Sequence, residues 1–166
     1  MTRTARDEGF ESVYLELFPR AATAAYRLLG DAAAEDIASE ALARAYARWP
    51  RLRCQPYRDG WILRVATNLA IDTVRRRRPA LTMSDEIDLA DAVTLRLALV
   101  AALGALPRRQ RDAVALRYLN GLSEAQVAQS LGVSTNTAST HVRRGLKAMR
   151  HQRVERVPEE MQFDGT

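Results

Sequence analysis

Cysteine and histidine are nearly absent from this chain. The single Cys54 has no partner for an internal disulfide, and with only His141 and His151 beside it no zinc-ligand spacing can be assembled. The lone cysteine fits a reducing compartment. The 166 residues include 8 glycines and 6 prolines, too few for a low-complexity or turn-rich all-β chain. No apolar run approaches the roughly 20 residues of a membrane span, and the opening stretch MTRTARDEGFESV has no signal-peptide core. P-loop, carboxylate-cluster and metal spacings are missing too, which argues against a nucleic-acid enzyme. The expectations are a cytoplasmic protein with no metal site and no cofactor, and one that is not an enzyme.

What is present is helix-forming and basic. Hydrophobic residues make up 47 % of the chain, enough for real cores, and the abundance of alanine and leucine favours helices. The formal charge is +5, which suits a polyanionic partner. Its distribution is more telling than its sum. Residues 79–92 carry four acidic and no basic side chains, whereas residues 107–150 carry eight basic and two acidic ones. Residues 1–78 are basic as well, so the pattern is two basic blocks with an acidic linker between them.

The most legible stretch is Leu106 to Arg150. Pro107 suits a first helical turn, and that helix should stop at Gly121. Ser123 with Gln126 forms a capping box for a short second helix, which ends near Leu131 with Gly132 turning the chain. Ser134 can cap a third helix running to about Arg150. Two helices about a short glycine-containing turn make a helix-turn-helix. On the third helix Ala138, Val142, Leu146 and Met149 form one apolar stripe. Its other faces carry Asn136, Thr137, Ser139, Thr140, Arg143, Arg144 and Lys147, types that reach base edges or phosphates.

The first half reads as three helices. Phe10 to Leu29 should kink or restart at Pro19. Asp31 caps a second helix to about Arg48, with Ile37, Ala41, Ala45 and Trp49 on its buried side. Asp36, Glu40 and Arg44 share another face; by spacing alone they are either intrahelical ion pairs or a docking stripe, the former favoured. Pro50 to Asp59 reads as a loop. A long helix then runs to Arg78, with Arg64, Asn68, Asp72 and Arg75 as its polar stripe and four consecutive arginines at its end. Those four exceed what a helix dipole needs and suit phosphates. Asp72 is expected to pair with Arg75 or Arg76. Trp61 could be a wedge, but core packing is favoured. Residues 79–92 read as linker with at most a helical turn, Val93 to Leu106 as helix, and residues 151–166 as a tail that frays beyond Pro158.

The segments GDAAAEDIASEALARAYARW, PYRDGWILRVATNLAIDTVRRRR and ALPRRQRDAVALRYLNGLSEAQVAQSLGVSTNTASTHVRRGLKAMR, in this order around an acidic linker, resemble an extracytoplasmic-function sigma factor of the sigma-70 family. The resemblance implies an all-α chain of two small helical domains. Residues 1–78 would be region 2-like, 79–92 the linker, and 93–150 the region 4-like domain with the helix-turn-helix. It further implies that Asp36, Ser39, Glu40 and Arg44 dock on the clamp helices of the polymerase largest subunit, the docking reading of that stripe. Arg53, Tyr57, Arg64, Asn68, Arg75, Arg76, Arg77 and Arg78 would meet the minus-ten element, Asn68 at a nontemplate base, and the loop Leu52 to Tyr57 would hold a base taken out of the stack. Asn136, Thr137, Ser139, Thr140, Arg143, Arg144 and Lys147 would read the minus-thirty-five duplex. The implied partners are core RNA polymerase (clamp helices and beta flap), promoter DNA both as duplex and as melted strand, and an anti-sigma factor. The implied location is the bacterial cytoplasm at the nucleoid. Asn136 to His141 departs from the lysine- and arginine-bearing start common in the family, which shifts affinity toward Arg143, Arg144 and Lys147. Ser39 stands where glutamine is common. The competing reading is a helix-turn-helix regulator with a LuxR-like output domain, which would need a sensor or dimerisation domain in its first half. The two domains are expected to move freely when the protein is not on polymerase.

Overall fold

The structure, a computed structural model, describes residues 7, 9–77 and 87–155, with side chains described to residue 152 and, after 77, from 91 onward. These residues form helices only: α1 Phe10–Leu29, α2 Ala33–Ala47, α3 Trp49–Leu52, α4 Arg58–Arg77, α5 Ile87–Gly104, α6 Arg108–Tyr118, α7 Glu124–Leu131 and α8 Thr135–Glu155.

Helix α1 buries Val13, Leu17, Ala21, Ala24, Ala25 and Leu28, a stripe at helical spacing. It runs unbroken through Pro19, which lies on the exposed side, so the anticipated restart does not occur. Gly30 closes it with φ of 75°, a left-handed cap that a side chain would strain. Asp31 works as expected at the start of α2, where Oδ1 accepts from the Ala33 N–H at 2.9 Å. Alanines 34, 38, 41 and 45 then let α2 lie close against α1 and α4. Trp49 is 1 % exposed and packs with Phe10, their rings edge to face at 5.1 Å.

Two boundaries depart from expectation. The loop foreseen from Pro50 begins inside a helical turn, α3, because proline is well tolerated in a first turn. Helix α5 starts at Ile87, six residues before Val93. The acidic residues that suggested a linker there equally suit the positively polarised start of a helix. Residues 79–86 and the tail from 156 lie outside the described residues.

The larger surprise is the core. One buried cluster joins Ala38, Ala41, Leu63 and Ala66 of the first half to Leu116, Val127, Ala128 and Leu131 of the second. Another joins Leu28, Ala70, Ile71 and Val74 to Val100, Leu103 and Leu106. Helix α4 is the shared wall, packing against α1 and α2 on one side and α5, α6 and α7 on the other. The two helical units, expected to move freely, are docked.

Candidate nucleic-acid interface

The helix-turn-helix is built as its sequence indicates. Ser123 Oγ accepts from the Gln126 N–H at 3.2 Å, and Gln126 Oε1 accepts from the Ser123 N–H at 2.9 Å. Gly132 turns the chain at φ 65°. Ser134 Oγ accepts from the Thr137 N–H at 3.1 Å and starts α8. Ala138 is fully buried at the crossing. Two arginines that the sequence reading left unassigned hold the unit together. Arg109 donates to the Leu131 carbonyl at 2.9 Å, and Arg117 to the Leu122 carbonyl at 3.2 Å. Gly145 was also passed over. A Cβ there would meet Val114 Cγ2 at 2.6 Å and the Gln110 carbonyl at 3.4 Å, so α8 and α6 touch through a glycine.

Of the seven residues assigned to this face, three spend their hydroxyls inside the chain. Thr137 Oγ1 bonds Ser134 Oγ at 2.8 Å, Ser139 donates to Glu124 Oε2 at 2.8 Å, and Thr140 donates to the Asn136 carbonyl at 2.9 Å. Asn136, Arg143, Arg144 and Lys147 are exposed. The face is therefore a basic edge with one exposed amide, set on a rigid capped unit.

Helix α4 presents a different picture. Arg75, Arg76 and Arg77 are exposed at its end, and Arg78 lies outside the described residues. The paired arginine here is Arg77, 2.8 Å from Asp31 Oδ2, and among the described residues no ion pair joins Asp72 to Arg75 or Arg76. Arg53 and Tyr57 are exposed in the stretch before α4, where Arg58 donates to the Arg53 carbonyl at 3.2 Å and lies over the Trp49 ring. Trp61 is half-buried against a further cluster that includes Leu17, Leu42, Trp49 and Ile62, with the Arg48 guanidinium 5.6 Å from its ring centre, so it packs rather than projects.

Arg64 and Asn68, by contrast, are half-buried. Asn68 Nδ2 donates to Asp112 Oδ1 at 3.4 Å, and Arg64 Nη1 is 3.8 Å from Asp112 Oδ2. Asp112, on α6, is 2 % exposed. Burial lowers the Arg64 pKa from its ordinary value; Asp112 opposes this, and Arg108 and Arg109 add to it. Asp112 escaped the sequence reading. The available signal was one carboxylate among the arginines of RRQRD, directly before the apolar run AVAL of a strongly basic helix.

On α2, Asp36, Ser39, Glu40 and Arg44 all face solvent. Arg44 Nε bonds Glu40 Oε1 at 2.7 Å, so the intrahelical pair is real and the stripe is also accessible. Ser39 borders a shallow groove lined by Phe10, Tyr14, Leu42 and Tyr46. No helix among the described residues is long and apolar enough to cross a membrane.

Residues 13–80 match the family model for sigma-70 region 2, and residues 96–149 the model for sigma-70 region 4. The sigma factor SigW of Bacillus subtilis is 29 % identical over 148 residues, covering 76 % of this chain and 79 % of that protein. SigL of Mycobacterium tuberculosis is 32 % identical over 143 residues, covering 76 % and 78 %. Among solved structures, the sigma factor RpoE of Bartonella quintana, in complex with the anti-sigma factor NepR, matches in fold. Its TM-score is 0.51 at 21 % identity, over 89 % of this chain and 98 % of that one. A regulator of the LuxR type would place a sensor or dimerisation domain where region 2 matches, so that alternative is not favoured. Two sigma regions in order, and relatives related along most of their length, make this chain a member of the extracytoplasmic-function RNA polymerase sigma factors.

Proposed function

We propose a division of labour among three helices. The exposed stripe Asp36, Ser39, Glu40 and Arg44 of α2 docks on the clamp helices of core polymerase, with the beta flap meeting the second unit. Residues 53–57 and α4 read and open the minus-ten element: Arg53, Arg75, Arg76, Arg77 and Arg78 on the backbone, Tyr57, Arg64 and Asn68 at the melted strand. Helix α8 reads the minus-thirty-five duplex, Asn136 at base edges and Arg143, Arg144 and Lys147 on phosphates. In domain terms, residues 1–78 and 93–150 are the two working units. The protein acts in the cytoplasm at the nucleoid, the bond-making chemistry belongs to the polymerase, and an anti-sigma factor is a further partner, as for the Bartonella protein.

The observation that carries this reading is the pairing, in one chain, of a capped helix-turn-helix with a basic exposed edge and an upstream helix ending in exposed arginines. Counterion release at such arginines supplies affinity, and the exposed amide supplies discrimination.

The test is competition with the housekeeping sigma factor for core RNA polymerase at near-physiological salt. The wild-type protein should compete saturably. Asp36→Lys with Glu40→Lys should weaken that competition about tenfold through like-charge contacts, with helicity unchanged. Normal competition by this variant would return the stripe to a solvated ion-pair face. DNA binding without any core binding would move the protein to the free-standing regulators.

A further inference from the structure

Helix α7 meets the side chains of the α8 face through one carboxylate. Ser139 donates its hydroxyl proton to Glu124 Oε2 at 2.8 Å, joining the start of α7 to the first half of α8. That carboxylate is out of keeping with its surroundings. Residues 107–150 carry eight basic and two acidic side chains. Asp112 is buried, so Glu124 is the exposed acid of this basic unit. Close to phosphates such a group lowers affinity, and its helix-dipole contribution at an exposed first turn is small. Neither consideration accounts for a carboxylate at this place.

Its effect on Ser139 is specific. A hydroxyl has one proton and two lone pairs. With the proton committed to Glu124, Ser139 Oγ can only accept. Thr140 is in the same condition, its proton given to the Asn136 carbonyl at 2.9 Å. Both side chains are half-buried, one helical turn before the exposed Arg143 and Arg144. They lie in the N-terminal part of the helix, which in a helix-turn-helix meets base edges. An unconstrained serine donates or accepts and so serves any base. Here Ser139 presents lone pairs, backed by an acceptor-only carboxylate.

Bases differ sharply toward such a surface. In the major groove cytosine offers an N4 amino donor and no acceptor. Adenine offers an N6 donor with the N7 acceptor beside it. Guanine and thymine turn oxygen acceptors toward the groove, which would face lone pairs and a carboxylate.

We infer that Glu124 is a specificity-determining residue of the duplex reader. With Ser139 it forms an acceptor-only pair that selects cytosine on the strand it faces and rejects guanine and thymine there. The inference rests on α8 being the duplex-reading helix, and its test separates the two.

The test uses the full chain as wild type, Glu124→Ala, Glu124→Gln, Ser139→Ala, and Arg143→Ala with Arg144→Ala. Neither Glu124 nor Ser139 belongs to the buried clusters, so their variants keep the fold. The probe is duplex DNA randomised over about one helical turn, selected by each chain at one fixed salt concentration and sequenced. Ser139→Ala identifies the base pair concerned, as the position whose preference changes. In the wild-type selection that position should favour cytosine over guanine and thymine about tenfold, the discrimination of a base-edge contact. Glu124→Ala, which frees the serine hydroxyl to donate, should erase this preference and leave the other positions as they were. Glu124→Gln, which places an amide donor beside the serine, should admit guanine or thymine at the same position.

A carboxylate that merely ties α7 to α8, or merely adds charge beside phosphates, would change affinity for every sequence alike. A uniform shift with base preferences intact would therefore overturn the inference. So would a guanine or thymine preference at the Ser139 position in the wild-type selection, or no position altered by Ser139→Ala. Full affinity for the pool after removal of both α8 arginines would instead overturn the assignment of α8 to duplex DNA, and the inference with it.

Discussion

Helices α8 and α4 both carry residues suited to nucleic acid, and among the described residues only α8 has every basic side chain assigned to DNA exposed. On α8, Arg143, Arg144 and Lys147 are exposed and the supporting helices lie behind them. On α4, Arg75, Arg76 and Arg77 are exposed, but Arg64 and Asn68 face a buried carboxylate from the same chain. The residue types are alike, and the availability differs. Residue type therefore does not by itself say whether a side chain is open to a partner; the packing around it does.

The largest predicted effect breaks this comparison on the α8 side. Arg143→Ala with Arg144→Ala should cost duplex binding about tenfold to a hundredfold at moderate salt and lower the salt slope by about two, one for each phosphate left without its arginine. Arg64→Ala should leave duplex binding by the free chain unchanged, because that side chain is engaged with Asp112. Titration of a promoter duplex at several salt concentrations checks both. An equal loss from Arg64→Ala would mean that α4 is open in solution.

A smaller effect sharpens the comparison through two glycines. Gly145 brings α8 onto α6 within one unit, and Gly60 brings α4 onto α7 between units. At Gly145 the added methyl meets the buried, β-branched Val114 and approaches the backbone carbonyl of Gln110, so relief requires repacking within the unit. Overpacking of about 1–3 kcal/mol should outweigh the helix-propensity gain of about 1 kcal/mol for alanine over glycine, leaving a net loss. At Gly60 the added methyl meets Ser130 across the contact between α4 and α7, where a small shift of one helix from the other relieves it. Urea midpoints should therefore fall further for Gly145→Ala than for Gly60→Ala. The reverse order would mean that the packing between units is as integral to the fold as the packing within one.

Much of this was legible in the chain, for local reasons. Ser123 with Gln126, Gly132 and Ser134 each act within four residues, so the helix-turn-helix could be read from spacing. The exposed state of Asp36, Ser39, Glu40 and Arg44 followed from the opposite apolar face of α2. The docking of the two units did not follow. It depends on pairs such as Asn68 with Asp112 and Thr67 with Asn120, far apart in sequence, and helical periodicity reports one face at a time. Gly60 and Gly145 were unreadable for the same reason: a glycine inside a helix signals close approach without naming the neighbour. The early start of α5 was missed because acidic residues serve a linker and a helix start equally well.

The smallest predicted effect concerns the Glu40–Arg44 pair, and its size is its value. The two side chains are 51 and 48 % exposed and joined at 2.7 Å across one helical turn. Water screens such a pair, and each long side chain loses freedom in forming it, so Arg44→Ala should change stability by only about 0.3–0.5 kcal/mol. A stripe that contributes so little to the fold is free to serve an interface, where the same charges are desolvated and paired with a partner. Arg44→Ala should then lower affinity for core polymerase while leaving the urea midpoint nearly unmoved. If the midpoint falls by more than about 1 kcal/mol equivalent, beyond the range of a surface substitution, Arg44 is holding α2 in place. The ion-pair reading would then be sufficient, and the docking surface would have to be sought along the Phe10, Tyr14 and Tyr46 groove instead.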